Sequence, residues 1–306
     1  MPNVSAPTDA DGWPVSDCHI HINDPAYPYA ADADLHPPPA TVATYRPLRA
    51  ALNIARVVVV QPSSYGLDNR CTLDAVRQFG QEGVDARAVV VIAADTDEAE
   101  LNRLHQAGAR GVRFNLLRPT PVSAQALTQV AHRIAALGWH LQLHASAATI
   151  ATLEPALLDL PVPLVLDHMG RLPLEGWQTH PAMKTMATLL ERDRAWVKLS
   201  GLELDGDVDA PAYRPQAVLA RHLVDIAPDR MVWGSNWPHP ATACRGEPMP
   251  DDTALLRWLD TVAPNALLRQ AILWDNAARL YGFERRLPGL EQGGAAPHVI
   301  TRDSHS

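Results

Sequence analysis

The chain has 306 residues, 47% of them hydrophobic, which is enough to bury the core of one large α/β barrel or of two small domains. Its formal charge of −8 is made of mixed signs with no basic run, so a phosphate backbone would be repelled and a nucleic-acid partner is excluded. Cys18, Cys71 and Cys244 are too few and too scattered for a disulfide framework or a CxxC metal pair, and no apolar run approaches the ~20 residues of a membrane helix.

The opening MPNVSAPTDADGWP has neither a basic segment nor an apolar centre, so residues 1–14 are expected to be an extension rather than a signal peptide, on a cytoplasmic protein. Strand-like runs then follow at 15–21 (VSDCHIH), 56–61 (RVVVVQ) and 87–92 (RAVVVI). A helix is predicted over 97–107, with Asp97 as N-cap and Gly108 as its stop, before a strand at 110–115 (RGVRFN). Residues 123–137 read as a second helix between Ser123 and Gly138, followed by strands at 140–144 (HLQLH), 163–168 (PLVLDH), 196–201 (WVKLSG) and 231–236 (MVWGSN). A further helix is expected at 253–262, and LWDNAARLYGF at 273–283 reads as a closing helix with Asn276 as a structural contact. From 284 to 306 the periodicity is lost, which predicts a flexible tail.

Near-continuous Val, Leu and Ile runs belong to strands covered on both faces. Eight of them alternating with helices over 15–283 predict a single (β/α)8 TIM barrel. An open doubly wound sheet is the competing architecture, but no glycine-rich phosphate loop follows the first strand.

Polar residues gather at the C-terminal ends of these strands, and in a barrel such ends converge on one rim. They include His19 and His21, Gln61, Arg113 and Asn115, Gln142 and His144, Asp167 and His168, Lys198 and Ser200, and Ser235 and Asn236. Taken singly, each would cap a loop; together they read as a site. At strand spacing His19 and His21 point the same way, so two imidazoles are aimed at one place. Such a pair can ligate a divalent metal or hydrogen-bond an anionic oxygen.

With DCHIH (17–21), QPSSYGLDN (61–69), GVRFNLL (111–117), LVLDHMGR (164–171), VKLSG (197–201) and GSNWPHP (234–240), the chain resembles the amidohydrolase superfamily. The likeness is greatest to the branch of 2-pyrone-4,6-dicarboxylate lactonase, 4-sulfomuconolactone hydrolase, sugar-acid lactonases and D-galactarolactone isomerase. The resemblance implies a distorted barrel acting on a small carboxylated lactone. It assigns His19, His21 and His168 to catalysis, with His168 polarising a carbonyl or relaying a proton. Arg113 and Arg171 become clamps for a substrate carboxylate, and Ser63, Asn115, His144 and His239 further substrate contacts. Tyr27, Tyr29 and Arg118 lie on loops that could close the mouth, and Lys198 is expected only to pair with a nearby carboxylate.

One position departs from that pattern. Relatives that hydrolyse lactones or amides usually end strand eight with Asp, where this chain has Asn236. An amide cannot act as a base near neutral pH and is a poor metal ligand. No cofactor is therefore expected, a mononuclear zinc on His19, His21 and His144 being the alternative. Water would have to be activated by His168, His239 or the His19–His21 pair. The leading expectation is a hydrolase opening a carboxylated lactone. A lactone isomerase, in which a substrate hydroxyl replaces water, is the alternative, and a ligand-binding protein without turnover the third reading. The oligomeric state has no signature in the sequence.

Overall fold

Val57, Val58, Val59 and Val60 are buried on both faces of their strand, as a parallel sheet enclosed by helices requires. A computed structural model of the chain describes residues 12–118, 125–204 and 213–284. Ser123, nearly all of the expected extension and all but the first residue of the expected tail lie outside the described residues.

Eight strands form one sheet in sequence order: β1 (Val15–Ile20), β2 (Ile54–Val60), β3 (Asp85–Val90), β4 (Ala109–Asn115), β5 (His140–His144), β6 (Leu164–Leu166), β7 (Ala195–Leu199) and β8 (Met231–Trp233). Every neighbouring pair is parallel, so the sheet curls into a nearly closed (β/α)8 barrel rather than the open, doubly wound alternative. The seam between β8 and β1 is made by loop backbone: Asn236 N–H donates to the His19 carbonyl at 2.9 Å, and His21 N–H to the Trp237 carbonyl at 2.8 Å. The buried Asp17 carboxylate ties the same seam, accepting from the Ser235 amide (2.9 Å), the Ser235 hydroxyl (2.6 Å) and the Tyr45 hydroxyl (2.8 Å). Burial outweighs these bonds and raises its pKa to about 6.

Helix boundaries follow the local chemistry. Asp97 accepts from Glu100 N–H at 2.8 Å and caps the helix Glu98–Gln106, as expected. The helix expected at 253–262 begins at Asp252, because Asp251 accepts from Thr253 and Ala254 and caps it. Strands six and eight are shorter than their apolar runs. After β6 the backbone enters the left-handed region at His168 (φ 51°), and after β8 at Asn236 (φ 66°), so the polar residues stand on turns beyond the strands.

Inside the barrel, Cys18, Val58, Val60, Val89, Val165 and Val232 pack into one cluster, closed from the N-terminal end by Tyr281 and Phe283. The last helix, Asn276–Tyr281, is fixed there by Asn276, whose amide donates to the Pro228 (3.0 Å) and Met231 (2.7 Å) carbonyls. This bears out the closing helix and its structural asparagine. The bottom is thus an apolar plug and the opposite end is left for polar groups. Among the described residues no helix is long and apolar enough to cross a membrane.

Candidate active site

At the C-terminal mouth, a cavity of about 490 Å³, counting the space open to solvent, is lined by His21, Arg113, Asn115, His144, His168 and Asn236, with Ser63 and Arg118 at its sides. Two glycines make room for the histidines around it. A Cβ on Gly234 would stand 2.6 Å from that of His19, and one on Gly201, whose φ is +67°, would stand 2.5 Å from His168 Nδ1.

The first-strand histidines meet Nε2 to Nε2 at 3.2 Å, so their convergence is as the spacing predicts. Cys18 also packs into the barrel interior, and two consecutive inward residues are possible because the register of β1 on β2 shifts between Asp17 and Ile20. His21 Nδ1 lies 2.8 Å from the Val60 carbonyl and must carry a proton to donate there. Burial first, and the Arg113 charge next, hold the pKa of His21 well below its usual value, so the ring is neutral and its Nε2 is a lone pair. His19 must then donate from Nε2, which leaves its Nδ1 to accept from Lys198 Nζ at 3.2 Å.

Lys198 is wholly buried. Its ammonium also donates to the Cys18 carbonyl and to Gln142 Oε1, each at 2.8 Å, so all three protons are placed. Burial lowers its pKa to about 8, against the pull of Asp167 3.7 Å away. Asp167 accepts on Oδ2 from Arg113 Nε (3.3 Å) and Gln142 Nε2 (3.1 Å). Burial would raise its pKa, but the cations Lys198 and Arg113 around it hold the carboxyl well below the usual range. Arg113 Nη1 donates to the Gln61 carbonyl at 3.3 Å, which leaves Nη2 for a ligand oxygen.

The donor atoms that come together differ from those considered for a divalent metal. Among the described residues the group whose ligand atoms lie within 4.8 Å of one another is His19, Asp167 and His168, not the trio His19, His21 and His144 considered from sequence. His21 has its Nδ1 held by Val60 and its Nε2 against His19. The His19–Asp167–His168 group, moreover, already contains the Lys198 cation, which faces His19 Nδ1 and Asp167 Oδ1.

Asn236 donates from Nδ2 to Glu203 Oε1 at 2.6 Å, so the group it can offer the cavity is its Oδ1. The same Glu203 oxygen faces His239 Nδ1 at 3.1 Å, and His239 Nε2 faces Asp252 Oδ1 at 3.0 Å. Burial disfavours charge on His239, but the bonds to Asp252 and Glu203 prevail and raise its pKa to about 9.

The expected residues therefore separate into two groups. His21, His168, Asn236, Arg113, Asn115, His144 and Ser63 share the cavity wall. His19 is sealed behind His21, and His239 behind Asn236 as a cation between two carboxylates. His239, expected as a substrate contact or water activator, has both ring nitrogens against carboxylates. Burial above all keeps His144 and His168 neutral, and Arg171, half-buried outside the wall, adds its charge to that effect. His168 Nδ1 pairs with Ser200 Oγ at 2.9 Å, and both His144 nitrogens are enclosed without a hydrogen-bond partner among the described residues. Sequence reading passed over Glu203, Asp252 and the central role of Lys198 and Asp167. The one available signal was a lysine between Val197 and Leu199 in an apolar run.

The pattern of the amidohydrolase family matches residues 16–283. A 2-pyrone-4,6-dicarboxylate hydrolase of Comamonas testosteroni is 36% identical over 281 residues, covering 87% of this chain and 89% of that protein. D-galactarolactone isomerase of Agrobacterium fabrum is 30% identical over 284 residues, covering 90% and 94%. A ligand-free crystal structure from Agrobacterium tumefaciens is similar with a TM-score of 0.79 at 28% identity, covering 93% of this chain and 99% of that one.

Proposed function

Because the chain belongs to the amidohydrolase family, we propose that it hydrolyses a carboxylated lactone without a metal. The observation that carries this reading is the cavity wall, where a fixed guanidinium and uncharged imidazoles face one small space. The Comamonas relative, named for a dicarboxylate, supports an anionic substrate. Arg113 Nη2, with Arg171 from outside the wall, supplies positive charge for a carboxylate or for the oxyanion that develops on the lactone carbonyl.

His168 is the group we assign to proton transfer. The Ser200 hydroxyl can donate to or accept from its Nδ1, so either tautomer is supported. With a lone pair at Nε2 the ring takes a proton from water as the oxygen adds to the carbonyl carbon. The tetrahedral intermediate then breaks its bond to the ring oxygen, and His168 returns the proton to that leaving oxygen. Water is added and nothing else is consumed. Lys198 provides a protein-borne cation beside His19 and Asp167, which supports chemistry without a bound metal. The three thiols are unpaired, which supports a reducing, cytoplasmic setting.

One observation favours a second reading. Asn236 is held as a neutral hydrogen-bonding group where a base would activate water, and one relative is named an isomerase. In that reaction a substrate hydroxyl attacks the carbonyl and no water is consumed. The deciding experiment incubates the protein with carboxylated lactones in heavy-oxygen water and follows products by NMR and mass spectrometry. Label in the product means hydrolysis, and a new lactone without label means isomerisation. Saturable binding with no product would leave only ligand binding and overturn both.

A further inference from the structure

We infer that Glu203 locks Asn236 as a hydrogen-bond acceptor for a hydroxyl, that of the substrate or that of the attacking water. The inference deepens the lactone reading and rests on it. Glu203 comes from the turn Leu202–Leu204 after β7, and its side chain is completely buried. It does not line the cavity, although Leu204 beside it does, so it acts on the site only through Asn236.

A carboxylate oxygen can only accept a hydrogen bond, so the 2.6 Å contact fixes which end of the Asn236 amide points away from the cavity. Turning the amide over would set its oxygen against the carboxylate. The backbone cannot relieve this, since Asn236 N–H is committed to the His19 carbonyl at 2.9 Å and φ is 66°, a region open to asparagine but closed to most side chains. Behind Glu203 the support continues through His239 to Asp252, so the carboxylate is itself held. The cavity thereby receives an oxygen acceptor of fixed direction. Such an oxygen welcomes an O–H and repels a carboxylate or carbonyl oxygen. The substrate carboxylate belongs on the arginine side of the mouth, and a hydroxyl belongs here. Glu203 is accordingly a positioning residue.

The test compares Glu203→Gln with Glu203→Leu. The glutamine carbonyl can still accept from Asn236, so Glu203→Gln should stay within about threefold of the parent in kcat/KM. Glu203→Leu frees the amide and should lower kcat by about 10²-fold, as a displaced reacting group does, with a smaller change in KM. Lactones with and without a ring hydroxyl identify the donor. A loss confined to the hydroxylated compounds assigns the substrate hydroxyl, and an equal loss assigns water; either supports the lock. Side-chain amide NMR of Asn236, identified by its absence in Asn236→Ala, needs no turnover. Its slowly exchanging signals should persist in Glu203→Gln and be lost in Glu203→Leu. If the parent turns over no lactone, the functional reading fails while the amide signals still decide the lock. Equal damage in Glu203→Gln and Glu203→Leu, parental kinetics in Glu203→Leu, or unchanged amide signals there would each overturn the inference. Should Glu203→Leu not fold, the double variant Asn236→Asp with Glu203→Gln replaces it. Its hydrogen bond runs from glutamine to aspartate and still presents an acceptor, so the parental hydroxyl preference should remain; a reversed preference overturns the lock.

Discussion

Lys198 and Asp167 face each other at 3.7 Å with neither side chain exposed. The ammonium sits among the donor atoms of His19 and Asp167, which leads to two outcomes. Turnover by the parent should survive thorough chelation. Lys198→Met should leave the Asp167 carboxylate short of a cation and cost about 3–5 kcal/mol of stability, the range for breaking a buried pair. Activity assays in EDTA measure the first; denaturant midpoints and zinc content measure the second, because the emptied place should also take up zinc more readily. Activity lost with EDTA and restored by stoichiometric zinc would show that the lysine is not the working cation.

His239 should make stability depend on pH. Its pKa rises from 6.5 to about 9 when it is enclosed by Asp252 and Glu203. The folded chain therefore holds this proton more tightly than the unfolded chain. The resulting stability is complete below pH 6.5 and is lost as pH climbs through 9. A rise of that size corresponds to roughly 3 kcal/mol. Unfolding free energies measured from pH 6 to 10 should fall across this window in the parent and lack that fall in His239→Gln. Parallel profiles would mean that the histidine is uncharged.

Arg171 and Arg113 should respond differently to the loss of their charge. Arg113 supports the Asp167 carboxylate, so Arg113→Met should lower both stability and activity. Arg171→Met should lower kcat/KM by roughly 2–4 kcal/mol equivalent toward an anionic lactone while leaving a neutral analogue almost unchanged. Thermal denaturation together with kinetics on the two substrates separates the cases. Equal loss on both lactones would remove Arg171 from carboxylate recognition.

The barrel was legible because its signal is periodic and local: apolar runs name the strands, and His19 and His21 share a direction through strand spacing alone. The cavity wall was legible for the same reason, since strand ends converge in any barrel. What escaped was pairing across the barrel. Asp167 and Lys198 come from different strands, and nothing along the chain says that their side chains meet beside His19. Glu203 was harder still, because it stands on a short turn with no periodicity and its role depends on Asn236 from the turn after the next strand. The partners of His239 were hidden for a related reason. A histidine in a WPHP turn looks available until Asp252, thirteen residues on, proves to occupy its second nitrogen.

Asn236→Asp brings the departure at strand eight to a test. If Asn236 simply replaced a hydrolytic carboxylate, the substitution would install a general base and raise hydrolysis by the ~10²–10⁴-fold typical of one. The structure changes that expectation. The new carboxylate would lie against Glu203, at the place where Nδ2 now stands 2.6 Å from Oε1. Two carboxylates so close share a proton, which raises the pKa of the pair and removes the base at neutral pH. The single variant should therefore gain little hydrolysis near pH 7 and more as pH rises. Adding Glu203→Gln gives the aspartate a donor in place of a competing charge, so the double variant should show the gain near neutral pH. Ring-opening rates of the parent, Asn236→Asp and the double variant from pH 5 to 9 measure this directly. A large gain at pH 7 in the single variant would mean that Glu203 does not hold position 236. No gain in either variant at any pH would mean that position 236 stands outside the proton transfers.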